Sequence, residues 1–255
     1  MEEMLQPVIL AINMPQNESR WQHLQQQLSQ LSLKGTHFSA VVGSALFQDE
    51  IETIYDEKLN KRYYHRDLTV GEIGCYASHS QAWQKLLDSD QPHAVVLEDD
   101  INLSDDFTTI LATIDRLQGW DIIKLSDNRN NPAAETIALS DTVNCISYKR
   151  VPNCMTGYVI SRQGAEKLLA RKRFFRPVDV DIQFHSELNL QVIGLQPYCV
   201  FEANFDSEIA AMNPNKRHSN KSTFWRNTKY RLSMMQQRTL QSANINKIVK
   251  PSNKK

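Results

Sequence analysis

A chain of 255 residues with 41% hydrophobic side chains can bury a substantial core, which excludes a mainly disordered protein. The formal net charge is +0, but residues 213–255 hold 11 Lys and Arg with no Asp or Glu, leaving 18 basic against 29 acidic residues elsewhere. An acidic body with a basic tail suits an anionic partner for the tail, such as a membrane surface, a lipid phosphate or nucleic acid.

Met1 to Ile12 has neither the basic start nor the long apolar region of a secretory leader. No window reaches the ~20 apolar residues of a membrane span. Cys75, Cys145, Cys154 and Cys199 are scattered, with no CxxC pair. They read as reduced thiols of a cytoplasmic protein, not as a disulfide frame or a zinc site.

Val8 to Asn13 reads as a first strand, followed by a turn and a helix over Glu18–Leu33 with apolar residues at Trp21, Leu24, Leu28 and Leu31. No glycine-rich loop follows that strand. Any phosphate must be met otherwise, with Arg20 at the helix start as a candidate and a plain surface charge as the alternative. Phe38 to Gly43 reads as a second short strand, and Phe47 to Tyr64 as a mixed excursion. Thr69 and Glu72 form a capping box for a helix running to Leu87. Gly71 and Gly74 cost that helix stability, so they imply close backbone approach. His79, one turn from Trp83, reads as a core histidine, with contact to substrate as the alternative.

Ala94-Val95-Val96-Leu97 shows no polar alternation and reads as a strand buried on both faces. It runs straight into Glu98, Asp99 and Asp100, which must emerge at its carboxyl end, where open α/β sheets place their ligands. With a period of two, Glu98 and Asp100 share one side and Asp99 takes the other. Such a pair suits Mg2+ or Mn2+ together with phosphate oxygens. The alternative is an acidic turn capping the next helix through Ser104, Asp105 and Asp106.

Beyond it, Asp106–Leu117 reads as a helix, Trp120–Ser126 as a buried strand containing Lys124, and Asp127–Pro132 as a ligand-closing loop. Val143–Val151 reads as an edge strand, and Thr156–Leu169 as strand, turn and helix. Pro177–His185 brings a second carboxylate pair, Asp179 and Asp181, together if the stretch is extended or on the edges of neighbouring turns if it is helical, where His185, four residues past Asp181, would share its face. Gln191–Val200 returns as a strand. The tail interleaves Phe224, Trp225, Tyr230, Leu232, Met234 and Met235 with its basic residues. It reads as an amphipathic helix on an anionic membrane face or as a solvated helix with a disordered end.

Four stretches together resemble the lipooligosaccharide transferases of glycosyltransferase family 25: Gly71–Cys75 through Ser78-His79 to Trp83, Val96–Asp100, Gly157–Ser161 with Gly164-Ala165, and Pro177–Asp181. The resemblance covers roughly Val8 to Val200. Val42 stands where the family turn usually has Asp.

The resemblance implies an α/β fold of GT-A type, a mixed and mainly parallel sheet flanked by helices, over residues 1–212. Residues 213–255 would form a basic helical tail. It implies inverting, metal-assisted transfer of a hexose, most often galactose from UDP-galactose, to a lipooligosaccharide or lipopolysaccharide acceptor. The expected donor contacts are Asn13, Arg20, Glu98, Asp99 and Lys124, with Asp100 and Glu98 holding Mn2+ or Mg2+. Asp181 or Asp179 would be the base, with Glu187 in reserve. The expected setting is the cytoplasm, peripheral on the inner face of a bacterial inner membrane. A phosphoryl-transfer or nuclease-type enzyme competes with this reading, as does a non-catalytic carbohydrate-binding protein of the same fold. The lack of basic residues around the acidic motifs argues against nucleic acid.

Overall fold

The computed structural model describes residues 7–203 and 224–251. The strands are β1 (Val8–Asn13), β2 (Thr36–Ser39), β3 (His93–Glu98), β4 (Ile101–Leu103), β5 (Ile122–Lys124), β6 (Ala133–Ala138), β7 (Asn144–Tyr148), β8 (Gly157–Ser161), β9 (Val192–Gln196) and β10 (Val200–Glu202). The helices are α1 (Glu18–Gln30), α2 (Gln48–Ile54), α3 (Glu57–Tyr63), α4 (Val70–Leu87), α5 (Phe107–Ala112), α6 (Arg162–Leu169), α7 (Val178–Gln183), α8 (Phe224–Gln237) and α9 (Ile245–Ile248).

Eight strands form one sheet in the order β2-β1-β3-β8-β5-β9-β7-β6. All run one way except β7 and β8, so the sheet is mixed and mostly parallel, as the α/β expectation had it. A separate antiparallel pair joins β4 to β10.

The unalternated run of β3 is buried on both faces, as read. Val95 and Leu97 enter one core with Ile9 and Ala11, while Ala94 and Val96 enter the other with Leu10 and Ile12. At ~25 cal/mol per Å2 of apolar surface, a strand with two such faces anchors its own carboxyl end firmly.

Helix α4 has the capping box read from sequence: Thr69 Oγ1 accepts from Glu72 N, and Glu72 accepts from Thr69 N. Gly74 meets the close approach that it implied. A Cβ there would lie 2.6 Å from the Val41 carbonyl oxygen, and one on Gly43 would lie 1.9 Å from that of Val70. The 41–43 backbone therefore lies directly on α4. Strand β2 ends at Ser39, short of the expected Gly43.

Two elements differ from expectation. Val143–Val151 contains β7, but β6 pairs outside it and is the true edge strand. Ala133–Ala138 carries too little apolar alternation to announce a strand. Of the extended and helical alternatives for Pro177–His185, the helical one forms, from Val178 to Gln183, with Pro177 as its N-cap residue. The last described stretch is no solvated extension. Ala243, Ile245 and Ile248 are core residues, and Ser242 Oγ donates to the Val192 carbonyl and accepts from Tyr148 N. The expected division after residue 212 lies outside the described residues.

Candidate active site

The parallel pairing of β1 and β3 sets Ile12 opposite Glu98, so both strands end at one edge of the sheet. The chain leaves β1 at Asn13 and turns into α1, which carries Arg20 back over that edge. Strand geometry stops at Glu98, and Asp99 and Asp100 lie in a bend. The expected two-sided alternation therefore does not extend to them. Glu98, Asp99 and Asp100 line one cleft, with Arg20, Met14 and Val41 on one side and Cys75, Ser78 and His79 of α4 on the other. Strand β4 separates the acids from α5, and neither Asp106 nor Ser104 caps that helix through its side chain. The side-chain capping bonds that the helix-capping alternative would draw from Ser104 and Asp106 are not formed.

Each acid has a distinct setting. Asp99 accepts from Asn13 Nδ2 at 2.7 Å and pairs with Arg20 at 3.5 Å. Asn13 is 2% exposed. Its remaining amide proton goes to the Asn17 carbonyl, and its oxygen lies 2.9 Å from His37 Nε2. Asn13 thus acts behind Asp99, as a clamp. Burial raises the Asp99 carboxyl, partly offset by Asn13 and Arg20. Asp100 is the open one, 3.9 Å from Arg20. Burial, then the carboxylates of Glu98 and Asp99, push its pKa up to about 6. A cleft with three carboxyls and Arg20 fits a hard dication, which would sit on Asp100 and Glu98 and relieve that repulsion.

Glu98 is held from behind by a chain of side chains. The indole of Trp83 can only donate, and its Nε1–H reaches Tyr158 Oη at 2.7 Å. Tyr158 can then donate to His79 Nδ1 at 2.9 Å, leaving the imidazole proton on Nε2, 3.4 Å from Glu98 Oε1. His79 is buried as read from sequence, but it also touches the acidic cluster. Tyr158 was not legible as a site residue, because its phenol lies in an apolar strand and its role depends on pairing with α4.

A second cleft shares Glu98 and Cys75 with the first and is also lined by Glu72, Thr156, Asp179 and Glu202. The Asp179 carboxyl is raised by burial and by the neighbouring Glu72 and Glu98 carboxylates. Asp181 does not reach either cleft. It is 4% exposed, accepts from Tyr76 Oη at 2.8 Å and Arg176 Nε at 3.0 Å, and pairs with Arg171. Glu187 completes this network on Arg171 and Arg176; burial raises its pKa but the two guanidinium groups hold it below the usual range. Arg176 is itself buried against the Phe184 ring, 3.8 Å from its centroid. The Asp181 network fastens α7 and leaves that carboxylate no open face for an acceptor hydroxyl. Lys124 is fully buried and donates to the Cys154 carbonyl, beneath the clefts, and it lowers the pKa of Asp179 electrostatically. The structure therefore gathers Asn13, Arg20, Glu98, Asp99 and Asp100, brings Asp179 beside them, and leaves Asp181 and Lys124 in the interior.

The family model described as "Glycosyltransferase family 25 (LPS biosynthesis protein)" matches residues 6–184. An Aedes aegypti "Glycosyltransferase 25 family member" is 33% identical over 181 residues, covering 68% of this chain and 29% of the relative. Human "Procollagen galactosyltransferase 2" is 24% identical over 246 residues, covering 86% of this chain and 38% of the relative. A Bos taurus "Probable inactive glycosyltransferase 25 family member 3" is 26% identical over 182 residues, covering 68% and 30%. The match thus spans about a third of the length of these relatives.

Proposed function

The chain belongs to glycosyltransferase family 25, and on that premise we propose that it transfers a hexose, galactose from UDP-galactose, to a lipooligosaccharide-type acceptor with inversion. The carrying observation is the Asp100 carboxyl, pushed up to about 6 in a cleft where Glu98 and Asp99 crowd it and Arg20 offsets them only in part. Such a site gains from a dication and a diphosphate bound together. Mn2+ or Mg2+ held on Asp100 and Glu98 would supply charge stabilisation for the departing UDP.

The chain's own residues do the rest. Arg20 faces the acids from α1 and can meet a diphosphate oxygen. Asn13 and Arg20 fix Asp99, and His79 fixes Glu98. Asp179 is the proposed base: it takes the acceptor hydroxyl proton on a carboxylate oxygen as that hydroxyl oxygen attacks the anomeric carbon. Its raised pKa moves it toward the working pH of a general base. Asp181 and Lys124 support the site from the interior rather than contacting donor.

Helix α8 supports a peripheral position on an anionic lipid surface at the cytoplasmic face. Trp225, Leu232 and Met235 are 81%, 61% and 62% exposed, and Lys229 and Arg231 lie on the same helix. No described helix is long and apolar enough to cross a membrane. Nucleic acid is not proposed as a partner, because the clefts are lined by carboxyls with Arg20 as their basic member.

The test is a panel of nucleotide sugars, scored first by thermal stabilisation with and without Mn2+ and then by transfer to short saccharides. Stabilisation by UDP-hexoses that needs Mn2+, followed by turnover, supports the reading. Metal-indifferent stabilisation with no turnover favours the carbohydrate-binding alternative.

A further inference from the structure

We propose that Cys75, His79 and Glu98 form a second metal site on the α4 wall of the cleft, suited to Zn2+, whose occupation takes Glu98 away from the donor-side metal and inhibits the protein. One ligand atom from each residue lies within 4.8 Å of the other two. Cys75 and His79 stand four residues apart on α4 and so share a face of a rigid helix, while Glu98 ends the doubly buried β3. The Nε2–Oε1 separation of 3.4 Å is close to the edge of a tetrahedral zinc site built from bonds of about 2.1 Å. Bringing the sulfur in takes a shift of about 1 Å from the widest separation, given a Zn–S bond of about 2.3 Å.

The donor set discriminates between metals. Thiolate and imidazole favour Zn2+, whereas Mn2+ and Mg2+ favour the all-oxygen pair Asp100 and Glu98. Sequence spacing excluded CxxC-type zinc sites, but a mixed set assembled from α4 and β3 has no such spacing to read. The second shell is present. On ligation the imidazole proton would move to Nδ1, and Tyr158 Oη, fixed by Trp83, would accept it. Binding exchanges the Cys75 thiol proton, released to solvent, for the metal–sulfur bond. Burial, and after it the carboxylates of Glu98, Asp179, Glu72 and Asp100, hold the thiol protonated, and those same carboxylates attract a dication. A fourth position stays open for water.

The inhibitory arm rests on the glycosyl-transfer reading, whereas the binding arm does not. Co2+ is titrated into the full chain stripped with EDTA, and thiolate-to-metal charge-transfer absorption is followed in the near ultraviolet. One equivalent should develop the band in wild type and in a Cys145→Ala control. Cys75→Ala and Cys75→Ser should both lack it and bind Zn2+ at least tenfold more weakly by chelator competition. Circular dichroism confirms that at least one of the two is folded. No band in wild type, or an equal band in a folded Cys75 variant, overturns the site. In transfer assays with excess Mn2+, Zn2+ should slow wild type but not Cys75→Ala, each relative to its own zinc-free rate. A band without inhibition overturns the regulatory half. A band in a protein that transfers no sugar keeps the site and defeats the functional reading instead.

Discussion

His79 Nε2 lies 3.4 Å from Glu98 Oε1, with Tyr158 on the other ring nitrogen and Trp83 behind it. One carboxylate of the acidic cluster is thereby aimed by three residues of the core. Tyr158→Phe removes the middle of the chain and strands the Trp83 Nε1–H and His79 Nδ1. Each stranded buried group costs about 1–3 kcal/mol. Thermal unfolding should show the loss, and donor KM should rise more than kcat falls. Unchanged stability would mean that the chain of hydrogen bonds is not formed.

Asp179 and Asp181 sit two residues apart but should fail differently. Asp179→Asn should lower kcat roughly 100- to 10,000-fold, the range for a lost general base, with donor affinity little changed. Asp181→Asn breaks a buried pair with Arg176 and should cost stability on the order of 3–5 kcal/mol. Steady-state kinetics beside denaturant unfolding separates the two. An Asp181 variant that is stable but inactive would reverse the assignment.

The pH profile of kcat has a definite sign. A base must be deprotonated, and burial with Glu72 and Glu98 raises the Asp179 carboxyl. Activity should therefore fall on the acid side at a higher pH than an ordinary carboxylate would give, and the inflection should vanish in Asp179→Asn.

Asp100 makes a stability prediction for metal-free protein. Its folded pKa of about 6 lies above the ordinary 3.8, so its contribution is present below about pH 4 and lost as pH rises through about 6. In EDTA at neutral pH, Asp100→Asn should stabilise the fold by roughly 1 kcal/mol, allowing for solvent screening of a partly exposed side chain. The gain should disappear near pH 4. Chemical denaturation at both pH values checks it.

The final segment divides into two parts with different consequences. Leu232→Gln with Met235→Gln should weaken binding to anionic liposomes and leave the fold intact, since both residues are exposed. Deleting residues 241–251 removes Ile245 and Ile248 from the core, at about 1.5–3 kcal/mol for each buried side chain. That deletion should unfold the domain rather than merely release it, as a liposome sedimentation and circular dichroism pair would show.

The strand-to-acid transition at Leu97–Glu98 was legible because its physics is local: an apolar run needs two buried faces, and charges must leave them. The capping box at Thr69 and Glu72 was legible for the same reason. Sequence could not separate Asp179 from Asp181, because the difference lies in Arg171, Arg176 and Tyr76, which reach Asp181 only through tertiary packing. Lys124 sat in a strand whose end pointed toward ligands, yet its side chain turns to the Cys154 carbonyl. The linkage of Tyr158 to Glu98 crosses from β8 to α4 and back to β3, which no spacing records. The core role of residues 242–248 was hidden because their basic surroundings resemble a solvated tail.

Above all, we propose that Asp100 belongs to a metal-assisted diphosphate site. Isothermal titration of UDP into wild type and Asp100→Asn, each in Mn2+ and in EDTA, tests it most directly. Wild type should bind UDP tightly only with Mn2+, and the variant should bind weakly in both buffers. The transfer rate should fall by roughly a thousandfold or more, since several kcal/mol are lost at about 1.36 per decade. Wild-type binding indifferent to EDTA, or full metal-dependent affinity in Asp100→Asn, would contradict the account.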